Sequence, residues 1–368
     1  MKIAWVVRPT EGGILRHLKH LLTGLSSEYQ ISIIGPPSLQ DNFSDQQFFP
    51  LQFNDGIHPL QDMRAIWRLS RLLRQQKPDL LHIHGLKAVM IAAPAARLGN
   101  CSKLVFTAHN NLPLPNSRWY KVSRSIVNRY LLSSLQRIIT VSAGVRSEII
   151  KMVPEHRVIT IYNGVNCPNY PSDAFSAARQ RMKLSETAIV IGVVARLIPE
   201  KGLYTLLEAA SILKNIMPEL KFVIVGDGPE RKSLEKYRDA LELQSIVCFL
   251  GYQEDVPQLM AGWNLFVLPS LNEGFSLSVL EAMAARLPVV VTDLPCMREM
   301  IVEGKGGIFV PPKDSPSLAA AILRIIKDQE KAKMMGDYNY FRVRNDFSVD
   351  KMVDGTRYVY NELLKKEY

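Results

Sequence analysis

Residues 264–293, NLFVLPSLNEGFSLSVLEAMAARLPVVVTD, constrain the chain more than any other stretch. The apolar run ending at Pro269 reads as a buried parallel strand, and VVVT after Pro288 reads as a second. Between them lie a turn of Ser270, Leu271, Asn272 and Glu273, then Gly274, then a helix from about Ser276 to Ala285. That is one βαβ unit, and in such sheets ligands bind where strand turns into helix, at the carboxyl ends of the strands. The helix is almost wholly apolar or small, yet carries Glu281 in its middle. A carboxylate there is costly unless hydrogen bonds reach it. Glu273 stands eight residues earlier, in the turn. The backbone N–H groups of Gly274, Phe275, Ser276, Leu277 and Ser278 would point out of the helix N-terminus, a seat suited to a phosphate.

The segment Glu273-Gly-Phe-Ser-Leu-Ser-Val-Leu-Glu281 resembles the E-x7-E signature of the retaining GT-B-fold glycosyltransferases, known as family 4 or group 1. The setting between two buried strands carries the resemblance, not the spacing of two glutamates alone. The plainer alternative is a buried helix whose one ionisable residue is paired to a neighbouring arginine.

A chain of 368 residues suits two domains rather than one core. The expected class is α/β, with two doubly wound Rossmann-like domains facing a central cleft, the GT-B fold that the resemblance implies. The expected division is 1–168 for an acceptor-side domain and 169–345 for a donor-binding domain. A helix over 346–368 is expected to cross back to the first domain, on the resemblance only. Charge is unevenly spread. Residues 1–170 hold twenty Lys and Arg against nine Asp and Glu, whereas residues 171–368 hold twenty-five against twenty-six. A solvated basic surface would explain this, as would an anionic partner on the first half, either a membrane or a phosphorylated acceptor. No nucleic-acid motif or interleaved basic–aromatic platform occurs, so nucleic acid is not an expected partner. Cys101, Cys167, Cys248 and Cys296 lie far apart and read as free thiols of a reducing compartment. Met1–Val7 is too short for a signal peptide, and no segment is long enough to span a bilayer. The expected location is the cytoplasm, with peripheral attachment to the inner face of the membrane.

Along the chain, IAWVV (3–7) reads as the first strand, and Gly12-Gly13 at the following turn would let the backbone approach a ligand. G-x-G-x-x-G is absent there. At Gly226-Asp-Gly228 the third glycine is replaced by Arg231, so a nicotinamide cofactor is not expected. Residues 60–77 form an amphipathic helix with Met63, Ile66, Trp67, Ser70 and Leu73 at helical spacing, against Arg64, Arg68, Arg71 and Arg74. It is either a core-facing stripe with a basic outer face or a membrane-surface helix. His82 and His84 share one face of strand 79–84. With no third ligand at a suggestive spacing, they read as a packed or ligand-facing pair rather than a metal site. Strand 103–109 ends in His109-Asn110-Asn111, and a basic helix near 117–136 follows, with Arg118, Lys121, Arg124 and Arg129. Residues 166–186 hold three prolines and read as a hinge. Arg196 and Lys201 follow strand 188–194, where an arginine fork and a mobile lysine suit a diphosphate.

The resemblance assigns further roles. Arg196 and Lys201-Gly202 match the family's R-x4-K-G diphosphate clamp, and Gly12-Gly13 its loop facing donor sugar and phosphate. Asn163-Gly164-Val165-Asn166 resembles the turn that ends its first domain. Tyr252-Gln253 stands where the base is held through the backbone. Glu281 would accept from ribose hydroxyls, Glu273 would bind donor-sugar hydroxyls, and His109 would lie beside the reacting carbon. The catalytic candidates are therefore His109 and Glu273, with Gly12, Gly13, Arg196, Lys201, Tyr252, Gly274 to Ser278 and Glu281 as donor ligands. The implied activity is a retaining transfer of a sugar from a nucleotide diphosphate, expected to be UDP, to an acceptor hydroxyl. The acceptor is expected to be a lipid-linked or glycan molecule of cell-surface polysaccharide or glycolipid synthesis. No cofactor and no metal are expected, because cations oppose the diphosphate charge. A glycosidase is disfavoured by the phosphate-binding setting between the two glutamates. A nucleotide-sugar epimerase of the same fold and a non-catalytic nucleotide-sugar-binding protein are the alternatives.

Overall fold

The computed structural model describes residues 1–10, 12–54, 56, 58–110 and 131–364. Asn111 and the four cations expected on the basic helix (Arg118, Lys121, Arg124 and Arg129) lie outside the described residues. The chain divides into two compact units, Met1–Asn163 with Val349–Tyr368, and Gly164–Ser348.

The first unit is built on a seven-stranded parallel sheet. Its strands are β1 (Lys2–Val7), β2 (Gln30–Gly35), β3 (Gln47–Pro50), β4 (Leu80–His84), β5 (Leu104–Ala108), β6 (Arg137–Thr140) and β7 (Val158–Thr160), in the order β3-β2-β1-β4-β5-β6-β7. β4 and β5 are buried at every position, as expected of strands covered on both faces by helices. The order reverses between β1 and β4, which makes their carboxyl ends the switch point of the sheet. β3 was not legible in the sequence, since QFFP is short and half-buried.

The helix Val349–Leu364 completes this unit. Met352, Val353, Val359 and Tyr360 join the core with Leu18, Leu21 and Leu25 of the helix Gly13–Leu25. The hydroxyl of Tyr360 accepts from Trp5 Nε1 at 3.0 Å, and Arg137 pairs with Glu362. The last helix therefore returns to a sheet that begins more than three hundred residues earlier.

The second unit holds a six-stranded parallel sheet of β8 (Ile189–Val194), β9 (Leu220–Val225), β10 (Val247–Gly251), β11 (Leu265–Leu268), β12 (Val289–Thr292) and β13 (Gly307–Val310). The order β10-β9-β8-β11-β12-β13 repeats the doubly wound pattern, with its switch point between β8 and β11. β11 and β12 pair in parallel across the helix Leu277–Ala284, the βαβ unit read from the sequence.

Two expectations are corrected. Residues 166–186 are not a bare hinge: they belong to the second unit and include the helix Ala174–Arg181. Arg179 is 1% exposed there and donates to the carbonyls of Ser185 and Ala188 and to Asn264 Oδ1. The helix Pro59–Gln76 packs through Ala65, Leu69, Ser70 and Leu73, not through Met63 and Trp67. Leu60, Met63 and Trp67 are 75%, 68% and 62% exposed. The helix thus has a second apolar stripe, one turn apart along its outer side, and the packed stripe is the one with the smaller side chains.

Candidate functional site

In the second unit the loops leaving β8 and β11 emerge at the switch point and are tied together backbone to backbone. Leu271 N donates to Glu200 O at 2.7 Å. Gly202 follows the short 3-10 turn Pro199–Lys201 at φ +63°, and a Cβ there would lie 2.0 Å from the carbonyl oxygen of Pro269. Only glycine meets both conditions. On its other side the same loop rests on the turn after β9: Leu197 N donates to Asp227 O at 2.9 Å, and a Cβ on Gly226 would lie 1.9 Å from Ala195 O. The exposed side chain of Arg196 is therefore carried on a loop pinned from both flanks. Gly226 and Gly228 serve this packing. Two glycines around an aspartate at a strand end, Gly226-Asp227-Gly228, are the sequence signal for this packing.

Glu273 is the centre of a small polar cluster. Its Oε1 accepts from Lys201 Nζ at 2.5 Å and from Ser270 Oγ at 2.8 Å. The side chains of Glu273 and Lys201 are 9% and 20% exposed, so the pair is partly shielded from solvent. Ser270, a turn residue by sequence, is fully buried. The thiol of Cys296 faces the backbone carbonyl of Glu273 at 3.5 Å. Burial, reinforced by Glu273, pushes that thiol up to about 12, so it stays protonated. Glu281 is buried in the helix as expected. At the N-terminus of that helix Ser276 makes no side-chain cap, and its Oγ lies 3.1 Å from Ser278 Oγ instead. The positive end of the helix dipole at Gly274 to Ser278 is thus not met by the cap side chain, the arrangement that favours an anion. Phe275 packs edge-on to Phe347, with ring centroids 5.5 Å apart. Tyr252 follows Gly251 at the end of β10 and is exposed, while Gln253 is tied to Leu250 O and to Arg181.

In the first unit Gly12 adopts φ +60° at the turn after β1, and Gly13 begins the helix that carries His17. β4 ends at His84, and His109 follows β5, so the three imidazoles come from three neighbouring elements at the switch point. His17 Nδ1 lies 2.9 Å from Asn163 Oδ1, and His84 Nδ1 lies 3.3 Å from His109 Nε2. An amide oxygen can only accept, which places the proton of His17 on Nδ1. His82 has a different part: its ring nitrogens bond to Tyr360 OH at 2.5 Å and Thr107 Oγ1 at 2.7 Å, a structural network. The expected pair stays in ring contact, with centroids 4.1 Å apart, but its two members differ in what they bond to. His82 is packed, whereas His84 joins two histidines that no sequence spacing connects to it. Burial lowers His17 to about 4 and holds His82, His84 and His109 well below the usual imidazole value. All four are neutral at pH 7.

Comparison with known proteins agrees with this architecture. The family model for glycosyl transferases group 1 matches residues 175–342, and that for glycosyltransferase family 4 matches residues 11–168. The UDP-Gal:alpha-D-GlcNAc-diphosphoundecaprenol alpha-1,3-galactosyltransferase of Escherichia coli is 26% identical over 352 residues, covering 92% of this chain and 90% of that one. The N-acetyl-alpha-D-glucosaminyl L-malate synthase of Bacillus anthracis is 25% identical, over 86% of this chain and 83% of its own. Among solved structures, Anabaena HepE in complex with UDP-glucose superposes with a TM-score of 0.85 at 22% identity, covering 98% of this chain and 100% of that one.

Proposed function

The chain belongs to the GT-B glycosyltransferases, family 4 in its first half and group 1 in its second, and from that premise we propose a retaining transfer from a UDP-sugar to a lipid-linked acceptor hydroxyl. The observation that carries the donor half is the convergence of the Arg196 loop, the Lys201–Glu273–Ser270 cluster and the uncapped helix N-terminus on the β8/β11 switch point. In this reading Arg196, Lys201 and the N–H groups of Gly274 to Ser278 hold the diphosphate and stabilise the leaving group. Glu281 accepts from the ribose hydroxyls, Glu273 orients the donor sugar, the backbone at Tyr252 holds the base, and Gly12-Gly13 and His109 act on the donor sugar. The cations take the place of a metal at the diphosphate. UDP is favoured because a relative is named for UDP-Gal and a structural neighbour was solved with UDP-glucose.

The acceptor half rests on charge and exposure. The first unit holds twenty-four Lys and Arg against thirteen Asp and Glu, the second twenty-one against twenty-two. Exposed Leu60, Met63 and Trp67 stand beside Arg64, Arg68 and Arg71 on one helix, a combination that suits an anionic bilayer surface. The Escherichia coli relative is named for a diphosphoundecaprenol acceptor, which supports a lipid-linked class here. No described helix is long and apolar enough to cross a membrane.

The test is a thermal-shift screen of nucleoside diphosphates and nucleotide sugars, followed by transfer assays with the hits and determination of the product's anomeric configuration. A UDP-specific shift that is weakened in Arg196→Ala supports the donor assignment. An Arg196→Ala protein that binds UDP as tightly as the wild type removes the clamp from this reading.

A further inference from the structure

We propose that His17, His84 and His109 form a binding site for a late first-row divalent ion, best suited to zinc, separate from the diphosphate clamp. The three residues each offer one ring nitrogen, and these atoms all lie within 4.8 Å of one another. The 3.3 Å between His84 Nδ1 and His109 Nε2 is the separation two ligands adopt around a tetrahedral ion bound at about 2.0–2.1 Å. The third nitrogen lies within 4.8 Å of both, so it reaches the same spacing by a shift of at most about 1.5 Å.

Two further observations point to a ligand. His17 Nε2 is buried and has no hydrogen-bond partner among the described residues, an uncommon state for a polar atom in a folded interior. Asn163 Oδ1 accepts a hydrogen bond from His17 Nδ1–H, which leaves the lone pair on Nε2. Metal-bound histidines are oriented in this manner, with the second ring nitrogen donating to a fixed oxygen. The donor set also selects the ion. Three imidazoles without a carboxylate suit zinc, copper or nickel and not magnesium, calcium or manganese. Arg8 is the nearby cation acting on His109, and a hydroxide or another anion as fourth ligand offsets that charge. The consequence, though not the binding, rests on the role proposed for His109: an ion on its lone pair withdraws it from the donor sugar, so zinc lowers transfer.

The experiment uses the full chain, dialysed against a chelator, reloaded with zinc, desalted and analysed by elemental mass spectrometry. We expect one zinc per chain, and visible d–d absorption of a nitrogen-bound tetrahedral ion when cobalt(II) is used instead. His17→Gln and His84→Gln should each weaken zinc at least tenfold, and Asn163→Ala about 10–100-fold as an outer partner. His156→Gln, at an exposed histidine, should leave binding unchanged. Circular dichroism confirms that each variant is folded. Zinc well below one per chain, or one zinc that persists at full affinity in folded His17→Gln and His84→Gln, overturns the site. If those variants do not fold, the cobalt spectrum of the unaltered protein decides, and its absence overturns the site. UDP calorimetry on the same zinc-free samples reports on the second unit alone, so failure of the donor reading is seen separately from failure of the metal site.

Discussion

Replacing Glu273 by glutamine tests how the donor site is balanced. In the free protein Glu273 Oε1 receives Lys201 Nζ at 2.5 Å and Ser270 Oγ at 2.8 Å. A charge-assisted hydrogen bond contributes a net ~1.5–3 kcal/mol, and with the two side chains 9% and 20% exposed this pair is only partly screened. A diphosphate that recruits Lys201 must give up part of that bond. Glutamine keeps the shape and an acceptor oxygen but removes the charge, so the penalty falls. UDP should then bind as tightly as in the wild type or several-fold tighter, with a gain bounded at roughly ten- to a hundredfold by the same bond energy. Transfer should nevertheless drop on the order of 10²-fold, since a preorganised carboxylate is lost beside the developing charge of the donor sugar. Isothermal calorimetry with UDP and initial-rate measurements at saturating donor give the two numbers. A Glu273→Gln protein that melts like the wild type but binds UDP tenfold more weakly refutes the reasoning, because Glu273 would then be supporting nucleotide binding rather than competing for Lys201.

Other consequences can be checked in parallel. Arg196→Ala should weaken UDP by about 1.5–3 kcal/mol, roughly ten- to a hundredfold by calorimetry. Gly202→Ala forces a Cβ to 2.0 Å from Pro269 O at φ +63°; its melting temperature should fall by several degrees and its UDP affinity with it. Sedimentation with anionic vesicles should be lost in Arg64→Glu/Arg68→Glu/Arg71→Glu, since three engaged arginines at ~1 kcal/mol each amount to about a hundredfold in partitioning; a protein that stays in the supernatant at low salt refutes membrane docking. His17 is lowered to about 4 by burial, so its contribution to stability is full above the unfolded value near 6.5 and is lost as pH falls toward 4. Together with the lowered His82, His84 and His109, this predicts that melting temperature declines from pH 7 to pH 5 and that the decline is shallower in a folded His17→Gln variant.

The sequence by itself determined what depends on short range. Apolar runs bounded by Pro269 and Pro288 marked a buried strand on either side of a helix, and eight positions within one turn and one helix set Glu273 and Glu281. Arg196 and Lys201 were legible because both follow one strand end within seven residues. Periodicity also showed that helix 59–76 is amphipathic, but not which stripe is packed. Neighbouring residues chose Ala65, Leu69 and Leu73 and left Leu60, Met63 and Trp67 outside. The tertiary structure alone decided the rest. Lys201 and Glu273 are 72 positions apart and meet because β8 and β11 are adjacent at the switch point. His17, His84 and His109 share no periodicity at all. They converge because parallel strands present their carboxyl ends along one edge, so that residues at or beyond the ends of β1, β4 and β5 become neighbours whatever length of chain separates them.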